Sequence, residues 1–339
     1  MKRKQRFFKL SAIVGCILLG AGILLCGAGF VAMGCDLDAF IYPRGGESVE
    51  VSSFVVEDAV DSIEVHASMG DVKIERASAA NPEDVEIILA ENVYEVVVQH
   101  GLLLVTPQKS VPGQSGWNWY QLLNFNSDGD WNVTIRVPEK LLDSVYVESG
   151  MGAIHVSDLE AANVTVQGDM GDVTLDNVSA SESLTVTQSM GRVTVENCQG
   201  GDLTLENDMG DTELSSGSFT EGEITASAGS VGVAGSTFTT LTVENDMGDV
   251  NLSATQVSEA VSCAVNMGSI GLDQLASPAI TLDADSGNVT GTIAGRQEDY
   301  QITVETDLGD SNLQDQMGEG SHLLQVTTNM GNISLDFAE

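Results

Sequence analysis

The chain has 339 residues, with 50 Asp and Glu against 13 Lys and Arg, for a formal net charge of −37. So acidic a protein repels phosphate backbones and anionic headgroups and attracts cations or basic partners, which leaves no nucleic-acid-binding role. Aromatics at 5%, 36 Gly and only 6 Pro fit many short strands and tight turns better than a large helical core.

In chain order, the first nine residues form a basic tail containing Lys2, Arg3, Lys4, Arg6 and Lys9. Leu10 to Met33 then carries no charge. As a helix those residues reach about 36 Å, enough to cross a bilayer with some tilt. Asp36 and Asp38 follow directly. The charge asymmetry predicts a transmembrane anchor over 10–35, with residues 1–9 cytoplasmic and a linker over 36–49 leading to an exterior domain. Two alternatives stay open: cleavage after Ala32-Met33-Gly34, or lipidation at Cys16 after Ile13-Val14-Gly15. Beyond the anchor remain eight of the 13 basic residues and all 50 acids, a net of −42.

The exterior domain, residues 50–339, opens on a strand-like run, Val60 to Val65, that leads to Ser68-Met69-Gly70-Asp71. Alternating runs at Val85–Leu89, Tyr94–Val98, Leu102–Val105 and Val133–Val137 read as further strands. Between them, at about 106–132, lies an insertion carrying Trp117, Trp119, Tyr120 and Trp131. A long loop rich in aromatics suits either ligand contact, with these four as the binding residues, or capping of an open end.

From here a repeat takes over. Its glycines are Gly152, Gly171, Gly191, Gly210, Gly229, Gly248, Gly268, Gly287, Gly309 and Gly331, at intervals of 19, 20, 19, 19, 19, 20, 19, 22 and 22. Together with Gly70 they make eleven repeat corners, and Met precedes the glycine in eight of them. The first of the series, Gly150-Met151-Gly152-Ala153, is a looser copy because neither flanking residue is polar. Each glycine has a short Val/Thr/Leu alternation on either side, such as Leu184-Thr-Val186 and Val193-Thr-Val195. Two strands in about twenty residues leave no room for a helix or a propeller blade. The prediction is an all-β chain with a single β-solenoid of 19–22-residue coils, each stacked on the one before. In that scheme the glycine turns the corner and the methionines stack as core filler, with a metal-binding methionine row as the alternative.

Aspartates flank the corners. Asp169, Asp172, Asp208, Asp211, Asp246 and Asp249 form the candidate Ca²⁺ edge, although Asn, Ser, Ala and Arg interrupt the ladder and solvated turn residues are the simpler account of them. Cys198 and Cys263 sit three to four coils apart, roughly 15–19 Å at the strand spacing, too far for a disulfide.

The Val60–Val65 run with Ser68-Met-Gly-Asp71, the strand Val133-Thr-Ile-Arg-Val-Pro138 with Leu142-Asp-Ser-Val145, and the Gly-Asp-Val corners together resemble a bacterial family of β-strand repeats known as putative adhesins. The resemblance covers about residues 50–337. It implies a membrane-tethered envelope domain of unknown function, sometimes linked to envelope-stress signalling, with no catalytic residues. The usual Ser-Gly-Asp corner is mostly Met-Gly here, with Asp following at four of the eight.

The functional expectation is a non-enzymatic envelope scaffold that binds an envelope protein or glycan. An envelope-stress regulator acting with a membrane partner is the alternative. A polysaccharide-cleaving enzyme is a third reading, but beyond Gly150 only Arg192, Arg296, His155 and His322 offer cationic groups, and none lies beside another in sequence.

Overall fold

The computed structural model describes residues 51–56, 58–77, 84–108, 131–317 and 320–338. The expected tail, anchor and linker, and Trp117, Trp119 and Tyr120, lie outside the described residues. Among the described residues no helix is long and apolar enough to cross a membrane. The described residues fall in one structural unit, 49–110 with 130–339.

Strands dominate because Val, Ile, Leu and Thr alternate with period two, one side chain inward and the next outward. In Val173–Leu175, for instance, Val173 and Leu175 are buried and Thr174 is half-buried. Each coil has a short strand after its glycine and a longer one before the next. Equivalent strands pair in parallel, with Val173 beside Val193 and Leu184 beside Leu203. The core is one continuous column of Val, Leu and Ile inside the stack.

The 20-residue intervals are absorbed by one-residue bulges. Register slips between Ala180 and Ser183 in the interval 171–191, and opposite Phe238–Thr240 in the interval 248–268. Corner glycines therefore stay aligned despite the uneven spacing.

Coils do not all stack in sequence order, contrary to expectation, and the departures lie at the two ends. At the N-terminal end β1 is Val51–Val56, β2 Ser62–Ala67, β3 Val72–Arg76, β4 Val85–Ala90, β5 Tyr94–Gln99, β6 Leu102–Pro107, β7 Val133–Val137, β8 Leu141–Met151 and β9 Ile154–Met170. The first coil, β2 and β3, lies between β6 with β7 on one side and β8 with β9 on the other. Gly152, between β8 and β9, is thereby stacked directly on Gly70 although 82 residues separate them. Antiparallel pairs β5–β6, β4–β7 and β1–β4 then close that end. The mirror arrangement appears at the C-terminal end. The coil of Gly331 pairs with that of Gly287, and the Gly309 coil lies outside both. The two 22-residue intervals are thus crossings over a coil and not looser coils. An antiparallel bridge from Ile302 to Gln316 lies on the outermost strand. Antiparallel strands thus overlie the parallel stack at its N-terminal end, and the Ile302–Gln316 bridge overlies part of its last strand.

Candidate functional site

The corner glycines define one edge. Gly152, Gly171, Gly191, Gly210, Gly229, Gly248 and Gly268 have φ from +127° to +149°. A Cβ on any of them would collide with the carbonyl of the corner glycine on the adjacent coil, which for Gly152 is Gly70. Glycine is required there on both counts. Gly152 thus makes the same corner as the others, even though Gly150 and Ala153 replace the polar flanks of the repeat.

The methionines are not core, which corrects the expectation. Met170, Met190, Met209, Met247, Met267 and Met330 are 45–55% exposed, and Leu308 in the same column is 69% exposed. Inward alternation through Leu184, Val186 and Gln188 would next bury Met190. The bend into Gly191, at φ +142°, turns its side chain outward instead. The column is in register: Met151 pairs with Met170, Met170 with Met190, Met190 with Met209, and Met247 with Met267. Over ten steps at about 4.8 Å it spans roughly 48 Å.

Two acidic columns flank it: the one before the methionine alternates along the stack from Asp169, and the one after the glycine alternates from Asp71 to Ser269, with Arg192 among the intervening residues. In stacking order the residue before the methionine runs Asp169, Ser189, Asp208, Ser227, Asp246, Asn266, Asp285, Asn329, Asp307. The alternation is unbroken only because the Gly331 coil sits inside the Gly309 coil. Neighbouring carboxylates are thereby held about 9.6 Å apart, cutting bare repulsion in water from roughly 0.9 to roughly 0.4 kcal/mol per pair. Asn266 and Asn329 each donate an amide N–H to the adjacent carboxylate, Asp246 and Asp285, at 2.7 Å.

Behind the glycine, aspartates do structural work. Asp71, Asp172, Asp211 and Asp249 accept from the backbone N–H of Ala153, Arg192, Ser230 and Ser269 in the next coil, at 2.8–3.0 Å. Of the six residues of the candidate Ca²⁺ edge, Asp172, Asp211 and Asp249 thus have one oxygen engaged with backbone, and Asp246 meets Asn266. Among the described residues no three His, Cys, Asp or Glu side chains gather to hold a metal ion.

Sequence reading missed the buried polar residues that fill the corner. Gln188 donates to the Gly171 carbonyl at 2.6 Å, Asn207 to Gly191 at 3.2 Å and Asn245 to Gly229 at 3.0 Å. Gly168 is the complement of Gln188: a Cβ there would strike the Gln188 amide. The available signal was Asn or Gln two places before several corner methionines, which reads as ordinary strand polarity without the bend.

Of the four aromatic candidates only Trp131 is described. Its carbonyl packs against Gly70, and the Tyr94 hydroxyl sits 3.0 Å from it and 2.9 Å from the Met69 carbonyl. Burial pushes the Tyr94 phenol up to about 12, so it remains a donor at neutral pH. Asn132 accepts the Asp71 N–H at 2.7 Å. Trp131 and Asn132 therefore occupy the corner of the coil outside Gly70, where the insertion rejoins the stack, and Trp131 serves the end structure through its backbone.

A second unforeseen group is His66, placed between Glu64 and Glu148 at 2.7 Å each, with its ring 5.5 Å from that of Tyr146. Desolvation would lower its pKa, but hydrogen bonds to Glu64 and Glu148 outweigh this and raise it. Glu64, His66, Tyr146 and Glu148 come from β2 and β8, strands 82 residues apart in sequence, so spacing gave no hint of the cluster. Cys198 and Cys263 are buried and free, as expected, and burial pushes their thiols to about 11 and about 12. A surface hollow of about 370 Å³ over Gly222 is lined by Asp202, Glu221, Glu223, Thr204, Thr240 and Thr242, with no basic group.

The family model described as Toastrack DUF4097 matches residues 60–277 and 182–336. No curated protein matches the chain. Among solved structures, a putative adhesin from Bacteroides fragilis is 14% identical, covers 86% of this chain and all of its own, and superposes with a TM-score of 0.37. A putative lipid binding protein from Parabacteroides distasonis is 13% identical over 85% of this chain and 97% of its own, at 0.36. Scores this low carry no inference about function. With the family model spanning nearly the whole described solenoid, the chain belongs to the Toastrack DUF4097 family.

Proposed function

We propose that the chain is a non-enzymatic binding scaffold of the cell envelope, tethered by the apolar segment 10–35 with its solenoid outside the cytoplasmic membrane. The observation that carries this reading is the outward-facing corner edge: an exposed apolar row bounded by two acidic columns and repeated at one spacing along the stack. A rigid repetitive edge presents the same groups to each segment of an extended partner, so weak contacts add along its length. Enzymatic chemistry would need a nucleophile, acid or base converging on one point. His66, the one histidine flanked closely by carboxylates among the described residues, has both ring nitrogens occupied by them. The N-terminal basic cluster followed by an uncharged stretch supports the topology.

The test has two arms on the full-length chain. Protease applied to intact cells stripped of their wall should remove the solenoid while the membrane retains the N-terminal segment. Full-length protein in nanodiscs should bind purified wall glycan or intact envelopes, and W117A/W119A should weaken that binding if the insertion takes part. A solenoid protected until the membrane is breached refutes the topology. Cleavage of the glycan by the purified chain refutes the non-enzymatic reading.

A further inference from the structure

We infer that the contiguous methionines Met170, Met190 and Met209 form a thioether site for a soft monovalent metal ion of the Cu(I) class. The proposal rests on the geometry of the edge and is independent of the membrane topology.

Three observations lead there. First, the fold does not need methionine at this position. Ala228, Ser286 and Leu308 stand in the same column on the same corner backbone, in register with methionines above or below them. Yet eight of the chain's 11 methionines occupy it. Second, the side chains are not spent on the core, since Met170, Met190 and Met209 are about half exposed. A half-exposed apolar side chain returns little burial energy and keeps much of its rotamer freedom, so packing does not account for the choice. Third, the three stand on consecutive coils. Unbranched side chains with three rotatable bonds, rooted about 4.8 Å apart, can bring neighbouring sulfurs onto one ion.

The surroundings select for soft over hard cations. Ca²⁺ takes six to eight oxygen ligands, but the carboxylates here alternate with Ser189 on one side of the row and with Arg192 on the other, Arg192 is ion-paired to Asp211 at 3.3 Å, and Asp172 and Asp211 each accept a backbone N–H. No oxygen shell is gathered. Thioethers select Cu(I) but contribute no charge, and Asp169 and Asp208 supply a negative field beside them without entering the site. Met170 and Met209 have aspartate on both sides, in Asp169-Met-Gly-Asp172 and Asp208-Met-Gly-Asp211.

Ag(I) is the probe, being soft, monovalent and redox-inert. It is titrated as the nitrate in chloride-free buffer into the full-length chain labelled with [¹³C-methyl]methionine. The methyl resonances of Met170, Met190 and Met209 are expected to shift together, with an apparent Kd at least tenfold tighter than that of Met317, which is fully exposed and lies off the column. M170L/M190L/M209L should lose this binding, because Leu308 shows that leucine fits the corner. M190L alone, which interrupts the row, should weaken binding at Met170 and Met209 and covers the case in which the triple variant fails to fold. Ca²⁺ should move none of the three methyls. The proposal is overturned if the corner methyls titrate no more tightly than Met317, if M190L leaves its neighbours' affinity unchanged, or if Ag(I) is taken up with every methyl unmoved, which would place it on the cysteine thiols.

Discussion

Replacing Gly210 by alanine isolates what the corner demands. At φ +139° an L side chain is strained, at a cost of about 1–3 kcal/mol. The new Cβ would also collide with the Gly191 carbonyl oxygen and lie 2.7 Å from its carbon. Shifting that carbonyl weakens its hydrogen bond from buried Asn207, worth about 1 kcal/mol. Together G210A should cost roughly 2–4 kcal/mol, a large share of a typical domain's 5–15 kcal/mol. Two other glycines of the stack are the controls. Gly235 has φ +58° with open space around it, so G235A should cost about 1–2 kcal/mol from backbone strain alone. Gly232 has ordinary φ and nothing within 4 Å, so G232A should be neutral or gain about 0.4–1 kcal/mol. Urea unfolding of the full-length chain followed by far-UV circular dichroism ranks the three, provided the slopes agree. A G210A midpoint matching that of G232A would refute the argument that stacked corner carbonyls exclude a side chain.

His66 supplies a pH signature. Its folded pKa is raised, so its contribution to stability is complete below the unfolded value near 6.5 and is lost as pH rises through the folded value. H66Q should therefore lower Tm relative to wild type at pH 5.5 and by less at pH 8.5; an equal loss at both would exclude the Glu64–His66–Glu148 pairing. Gly168 and Gln188 should be coupled. G168A pushes the Gln188 amide off the Gly171 carbonyl, whereas in a Q188A background the same change meets no side chain. The double-mutant cycle should return about 1 kcal/mol of coupling in urea melts, and additivity would refute the fit.

Much of this fold was legible in the sequence because the repeat is close to periodic. Aligned glycines at 19–20 residues with Val-Thr-Leu alternation on each side leave a solenoid as the arrangement that buries every second side chain. Even the loose copy at Gly152 was placed correctly, because the spacing to Gly171 fixed it where its flanking residues did not. What stayed hidden depends on three-dimensional order. The 22-residue spacing from Gly287 to Gly309 and on to Gly331 reads as longer coils, whereas the chain uses those residues to cross over. The charge alternation therefore appears only when Asn329 is placed between Asp285 and Asp307. The corner methionines mislead for a related reason. Hydrophobicity and alternation both point Met190 inward, and only the bend at Gly191 sends it out and leaves Gln188 to fill the space. Polar residues that look like strand surface are thus buried, while apolar residues that look like core face solvent.

The outward-facing methionine column is the feature on which the binding edge depends, and oxidation footprinting measures it directly. The full-length chain is exposed briefly to hydrogen peroxide, and methionine sulfoxide at each position is read by mass spectrometry in native buffer and in urea. Met170, Met190, Met209, Met247, Met267 and Met330 should oxidise in the native protein within a few-fold of fully exposed Met317, with little acceleration on unfolding. Corner methionines that resist the oxidant until the chain unfolds would return them to the core and remove the edge.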